Sequence, residues 1–206
     1  ITDPLNKLAI EANNIRVLNL DGPTLPHTMF DELNQVVDSF AKMKVGLRSF
    51  RKYVPTDLVV GMIQSGQEAN LGGKKEDVTI FFSDIAGFTS MSEKLTPDQL
   101  VKVLGDYLGA MSDIIMNREG TLDKYIGDAI VAFYGAPMPV EDHEKKACSA
   151  ALKMQERLEV LKEKWKSEGD WPDIVYEMQH RIGLNAGKMV TGNMGSKMRM
   201  NYTMTG

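Results

Sequence analysis

The chain is poor in several things, and each shortage removes a class of function. It has one cysteine, Cys148, in 206 residues, so no internal disulfide can form and a disulfide-stapled secreted fold is excluded. No uninterrupted apolar run approaches the roughly 18 residues that a membrane span requires, and no stretch reads as a signal peptide. There is no excess of basic charge. Twenty-four Lys and Arg stand against 28 Asp and Glu, for a net charge of −4, so no basic stripe offers a nucleic-acid surface. Low-complexity tracts and internal repeats are absent. What is present is 43% hydrophobic residues, enough for one ordinary core and a smaller module.

Two helices of coiled-coil spacing come first. Leu5, Leu8, Ala12 and Ile15 step by 3, 4 and 3; Leu33, Val36, Phe40, Met43, Leu47 and Phe50 step by 3, 4, 3, 4 and 3. Such a seam lets helices pack along each other. Pro4 sits in a first helical turn, where proline is tolerated. Asp21-Gly22-Pro23 and Pro26 forbid helix and force an extended connector. Two short helices cannot bury both seams, and a parallel dimer forming a four-helix bundle would. With Asp31-Glu32-Leu33 opening the second helix, residues 1–50 resemble a HAMP domain, the signalling bundle that follows a transmembrane helix. Arg51-Lys52-Tyr53-Val54-Pro55 then stops the helix. Residues 51–76 read as a linker resembling a short transducing segment, with one or two helical turns over Leu58–Ile63 and a loop at Gly72-Gly73-Lys74-Lys75.

Beyond this the pattern alternates. The β-rich run 78–83 predicts a buried strand. Pro97–Met116 predicts a helix with Thr96 as its N-cap. Thr121–Ile126 and Ala129–Tyr134 predict a hairpin around Gly127-Asp128. Glu141–Lys166 predicts a long helix, Tyr176–Leu184 a strand, and Lys188–Gly192 the start of another. Cys148, in an alanine-rich helical stretch, reads as a small buried packing residue. The order βαββαβ predicts an α+β, ferredoxin-like core.

Asp84 ends the first strand and Asp128 sits at the hairpin tip, so both carboxylates can reach one end of the sheet. Two carboxylates and a backbone carbonyl make a hard oxygen site suited to Mg²⁺. Ala86–Ser90 offers backbone N–H groups near the start of a short helix, where phosphate can sit. Alone, an Asp beside a Gly is ordinary turn chemistry. The surroundings decide otherwise. FFSDIAGFTSMSE, LDKYIGDAIVAFYG, HRIGLNAGKMVTGNMG and NYTMTG follow one another over residues 77–206, and in that order they resemble the class III adenylyl and guanylyl cyclases.

The resemblance implies roles by position. Asp84 and Asp128 would bind two Mg²⁺ or Mn²⁺ ions, with the backbone carbonyl of Ile85 touching metal. The amides of Phe88 and Thr89 would donate to phosphate, and Arg181 would contact it. Lys124 and Thr203 fall at the two base-reading positions; lysine there marks an ATP enzyme, and Thr203 points to the subgroup called class IIIb. The implied reaction is ATP to cyclic AMP and pyrophosphate, at sites shared by the two subunits of a homodimer. A guanylyl cyclase, or a signal relay that binds nucleotide or dimerises without turnover, is the alternative. The HAMP-like front implies an upstream transmembrane and sensor region and a place on the cytoplasmic face of a membrane. The chain opens and closes inside recognisable patterns and stops short of the family's later asparagine, arginine and lysine, so it reads as an internal piece of a longer protein.

Overall fold

A computed structural model describes residues 2–51, 53–54 and 70–206. Most of the expected transducing segment, including Leu58–Ile63, lies outside the described residues. The chain divides into two units, 1–69 and 70–206.

The first unit holds α1 (Thr2–Arg16) and α2 (Asp31–Arg51). They run parallel, because the connector doubles back. Pro4 and Leu8 line one shallow cavity with Leu33 and Val37, Glu11 pairs with Lys44, and Ile15, Leu18 and Leu20 cluster with Phe40 and Leu47. Asn34 secures the entry to α2: its Oδ1 accepts from the Thr28 amide at 2.7 Å, and its Nδ2 donates to the Thr28 carbonyl at 3.0 Å.

The heptad seam of α2 is split. Leu33, Phe40 and Leu47 turn partly inward, while Val36, Met43 and Phe50 stay 38–52% exposed. Apolar periodicity also misses a buried contact of this unit. Lys44 Nζ lies 2.6 Å from Glu11 Oε1, with side chains only 3% and 8% exposed, and it donates to the Gly22 carbonyl at 3.0 Å. A buried charge persists only when paired and hydrogen-bonded in this way.

The second unit is a five-stranded antiparallel sheet, ordered β2-β3-β1-β4-β5. The strands are β1 (Gly72–Ile85), β2 (Thr121–Ile126), β3 (Ala129–Tyr134), β4 (His180–Ser196) and β5 (Arg199–Thr205). The helices are α3 (Phe88–Ser92), α4 (Pro97–Met116), α5 (His143–Glu168) and α6 (Asp173–Tyr176). The expected βαββαβ order holds, with β5 added at one edge. Thr96 caps α4 as anticipated. Its Oγ1 accepts from the Gln99 amide at 3.3 Å, and Gln99 Oε1 accepts from the Thr96 amide at 3.0 Å, which is a reciprocal capping box.

Alternation along β1 assigns its two faces. Phe81 and Ile85 point toward α4 and α5 and join Tyr107, Met111, Ile115, Met154, Leu158 and Trp165 in the main core. Full burial of each such side chain contributes about 1.5–3 kcal/mol. On α5 the inward stripe runs Ala147, Ala150, Met154, Leu158, Leu161, Trp165. Cys148 stands one residue off that stripe, about 100° round the helix, and is exposed rather than buried.

Two expectations about strand length are corrected. Gly72–Lys75 is not a loop: β1 pairs with β4 from Gly72↔Asn193 to Ile85↔His180. Asp173–Tyr176 is a short helix, and the two strands expected beyond it are a single one. Both misreadings have one cause. This ladder is rich in Gly and charged residues, so it shows no apolar alternation, and cross-strand pairing alone makes it strand. At Gly192 the strands approach so closely that a Cβ would lie 2.2 Å from the Gly72 carbonyl oxygen. The β4–β5 arm covers the sheet face opposite the helices. There Met189, Tyr202 and Met204 pack on Val78, Phe133 and Ala136, with the rings of Tyr202 and Phe133 6.1 Å apart.

Candidate active site

Asp84 is the penultimate residue of β1, and Asp128 is the second residue of the tight turn joining β2 to β3. Gly127, the first residue of that turn, has φ 63°, which glycine adopts without strain. Because β3 is the neighbour of β1, with Ser83 opposite Ile130, the turn comes to the end of β1. The amide of Ile85 donates to Asp128 Oδ2 at 2.7 Å, fixing one carboxylate directly beside the residue that carries the other. The Ile85 side chain is 3% exposed and anchors this end of the strand in the core.

Arg181 lies opposite Asp84 in the β1–β4 ladder. Its Nε and Nη2 donate to the two Asp84 oxygens at 2.7 and 2.8 Å. The expectation from the sequence was phosphate for Arg181; within this single chain its partner is Asp84. Beneath the pair, the Tyr107 hydroxyl and His180 Nδ1 are 3.2 Å apart in the core. Burial holds His180 below the usual histidine range and pushes the Tyr107 phenol well above its own. Both are therefore neutral near pH 7 and add no charge under the carboxylates.

The strand-to-helix turn follows at once. Gly87 takes φ 69°, and its carbonyl accepts from the Met91 amide. The amides of Phe88, Thr89 and Ser90 precede the first intrahelical bond and point out of the helix start. Phe88 is half-buried against the main core and Thr89 is exposed.

Among the described residues no group of three His, Cys, Asp or Glu gathers as a metal cage. Asp84 and Asp128 form a two-carboxylate pair, and that donor set fits Mg²⁺ or Mn²⁺ held jointly with substrate phosphates, since Mg²⁺ characteristically binds one or two carboxylates and completes its shell with phosphate and water. A surface groove elsewhere, on the outer face of α5 between Arg118, Lys145, Cys148 and Lys153, holds none of these residues.

Lys124 and Thr203 meet although β2 and β5 are opposite edges of the strand order. The β5 arm folds over the open face, and Lys124 Nζ donates to Thr203 Oγ1 at 3.2 Å. Sequence reasoning missed Asp123, whose carboxylate accepts from the same hydroxyl at 2.5 Å. The signal available in the sequence was a carboxylate one residue before Lys124. Regular strand geometry would send that side chain to the other face.

Residues 72–205 match the family model described as the adenylate and guanylate cyclase catalytic domain. Over its whole length the chain is 30% identical to adenylate cyclase 1 of Rhizobium meliloti (strain 1021), of which it spans 30%. Among solved structures it is 38% identical to the guanylyl cyclase Cya2 and 35% identical to the adenylyl cyclase CyaB from P. aeruginosa. Each superposition covers 66% of this chain, and 66% and 68% of the other, with a TM-score of 0.60. By the family match over residues 72–205 the chain belongs to the adenylate and guanylate cyclase catalytic-domain family.

Proposed function

We propose that this chain converts ATP into 3′,5′-cyclic AMP and pyrophosphate at sites shared between two copies. The Lys124–Thr203 pair is the observation that carries this reading. An ammonium that donates and a hydroxyl that can accept, side by side, complement the N1 acceptor and 6-amino donor of adenine. Asp84 and Asp128 would hold Mg²⁺ or Mn²⁺, with the Ile85 amide keeping Asp128 in place. Bound there, such ions would supply charge neutralisation. The ribose 3′-hydroxyl gives its proton to solvent, its oxygen bonds the α-phosphorus, and the bond from that phosphorus to the β-phosphate oxygen breaks to release pyrophosphate. The outward amides of Phe88 and Thr89 orient the phosphates, and Arg181 turns from Asp84 toward them. Positioning and charge compensation then provide most of the acceleration.

In this reading, metal-binding residues of one copy face base-reading residues of the other. A chain that carries both sets forms two equivalent sites as a homodimer. Residues 1–50 act as a HAMP bundle holding the two copies in parallel, below a transmembrane segment and sensor on the cytoplasmic face of a membrane. The parallel run of α1 and α2 and the exposed row Val36, Met43 and Phe50 support that part. Among the described residues, no helix is long and apolar enough to cross a membrane.

GTP is the second candidate substrate, favoured by the likeness to the guanylyl cyclase Cya2. A cyclase assay on the full-length protein with Mn²⁺-ATP and Mn²⁺-GTP decides. Cyclic AMP in clear excess is expected; cyclic GMP in excess would overturn the reading, and no product from either would favour a relay without turnover.

A further inference from the structure

We infer that Asp123 is the residue that makes this base pocket select adenine, by fixing the Thr203 hydroxyl as a hydrogen-bond acceptor toward the purine 6-position. The inference rests on the reading of Lys124 and Thr203 as base-reading residues.

Consecutive strand residues send their side chains to opposite faces, so Asp123 and Lys124 should not share a partner. The β2–β3 ladder shows why they do. Leu122 lies opposite Ala132 and Lys124 opposite Val131; two steps on β2 match one on β3, and Asp123 is the extra residue. Such a bulge re-aims side chains that regular pairing would separate. Both then reach Thr203 Oγ1, Asp123 at 2.5 Å and Lys124 at 3.2 Å, and they lie 3.3 Å from each other.

Burial and proton count give the consequence. The Asp123 side chain is 2% exposed, while that of Lys124 is 41% exposed. A carboxylate so buried needs strong partners, and Thr203 and Lys124 supply them. An ionised carboxylate only accepts, whereas a hydroxyl has one proton and two lone pairs. The single Thr203 proton therefore goes to Asp123, and only lone pairs remain for the outside. One takes the Lys124 ammonium in this structure; an incoming amino group takes the same kind of contact.

A threonine alone does not discriminate between purines. A freely rotating hydroxyl can accept from the 6-amino group of adenine or donate to the 6-oxo group of guanine. With its proton committed to Asp123 it can only accept, and a 6-oxo purine meets it oxygen to oxygen. Lys124 acts in the same direction, since its ammonium donates to N1 of adenine and opposes the N1–H of a 6-oxo purine. Asp123 thus acts through Thr203 as a positioning residue and does not touch the substrate itself.

The test measures kcat/KM in the full-length protein for ATP and for inosine triphosphate, which differs from ATP by the 6-oxo group and N1–H. The ATP preference should fall about tenfold in Asp123→Leu, the scale of the net contribution of one hydrogen bond. It should stay within about threefold of the parent in Asp123→Asn, which keeps an accepting oxygen of the same shape. Thr203→Val separates the two layers of the reading. If the valine variant keeps the parental preference, the base-reading assignment fails and this inference with it. If the valine variant loses the preference while Asp123→Leu keeps it, the base reading stands and the role of Asp123 is overturned. An Asn variant as indiscriminate as the Leu variant would overturn the acceptor-fixing role as well. Circular dichroism checks folding; should the Leu variant not fold, Asp123→Ala takes its place against the same Asn comparison.

Discussion

Arg181 grips Asp84 across the β1–β4 ladder with both nitrogens of its fork, at 2.7 and 2.8 Å. In this geometry the guanidinium occupies both oxygens that a divalent cation would use. The pair is largely open to solvent, at 71% and 41% side-chain exposure, so breaking it costs little and the arginine is free to turn to phosphate. Arg181→Met should therefore lower the Mn²⁺ concentration needed for half-maximal activity several-fold, by removing a competitor for Asp84. It should also raise the KM for ATP, by removing a phosphate contact. A Mn²⁺ titration at saturating ATP, followed by an ATP titration at saturating Mn²⁺, separates the two effects. If neither midpoint moves, Arg181 has no role in the site.

Asp84→Ala and Asp128→Ala should each reduce cyclisation by roughly a hundredfold or more, the scale of losing an electrostatic anchor of the reaction. The far-UV circular dichroism should hardly change in either, because neither side chain packs in the core; the melting temperature should hold in Asp84→Ala and fall slightly in Asp128→Ala, which removes the acceptor of the Ile85 amide. Either variant retaining about a tenth of parental turnover would count against the carboxylates as metal ligands.

If Lys124 donates to adenine N1 as proposed, Lys124→Glu replaces that donor with a carboxylate that can only accept. The ratio of kcat/KM for ATP to that for GTP should fall by a factor of about a hundred. An unchanged ratio would show that Lys124 does not read the base.

The buried Glu11–Lys44 pair predicts a pH effect on the helical unit. The bond from Lys44 holds the Glu11 carboxyl below the usual glutamate range despite the opposing effect of burial. A carboxyl whose folded-state pKa is depressed contributes stability above its unfolded value and loses it as pH falls through the folded one. Helicity of the parent should therefore become less heat-resistant as pH drops below the ordinary carboxylate range. Glu11→Gln with Lys44→Met should lose most of that dependence. Lys44→Met alone leaves a buried carboxylate unpaired and should cost about 3–5 kcal/mol near pH 7. Thermal melts followed at 222 nm across acidic pH check all three; parallel curves for parent and double variant would refute the assignment.

Met43→Asp tests the front of the chain. Met43 is 45% exposed in one copy and lies between Val36 and Phe50 on α2. If this row meets its counterpart in a parallel bundle, a carboxylate there should loosen the dimer and change cyclase activity without altering the catalytic domain. A misalignment of about 1 Å can cost roughly a hundredfold in rate. Sedimentation and activity measured on one sample decide: a variant as dimeric and as active as the parent would mean that this row is neither a dimer contact nor an input.

The sequence alone determined what is local. The α4 cap, the Gly127-Asp128 turn and the βαββαβ order follow from turn chemistry, capping and short-range periodicity. The residues that carry them, Thr96, Pro97, Gly127 and the β-rich run 78–83, act over a few positions. That Asp84 and Asp128 come to one end of the sheet was legible because a strand end and a hairpin tip carry them. Only the tertiary structure decided what depends on register or burial. The long Gly-rich β1–β4 ladder has no apolar pattern to announce it. The split of the α2 seam depends on which side the connector and α1 occupy. The buried Glu11–Lys44 pair joins residues 33 positions apart, where no periodicity can link two charges. The Asp123–Thr203 contact needs both a one-residue bulge in β2 and the folding of β5 over the open face, across 80 positions of chain. A bulge is a property of two strands at once, so it appears only when their pairing is known.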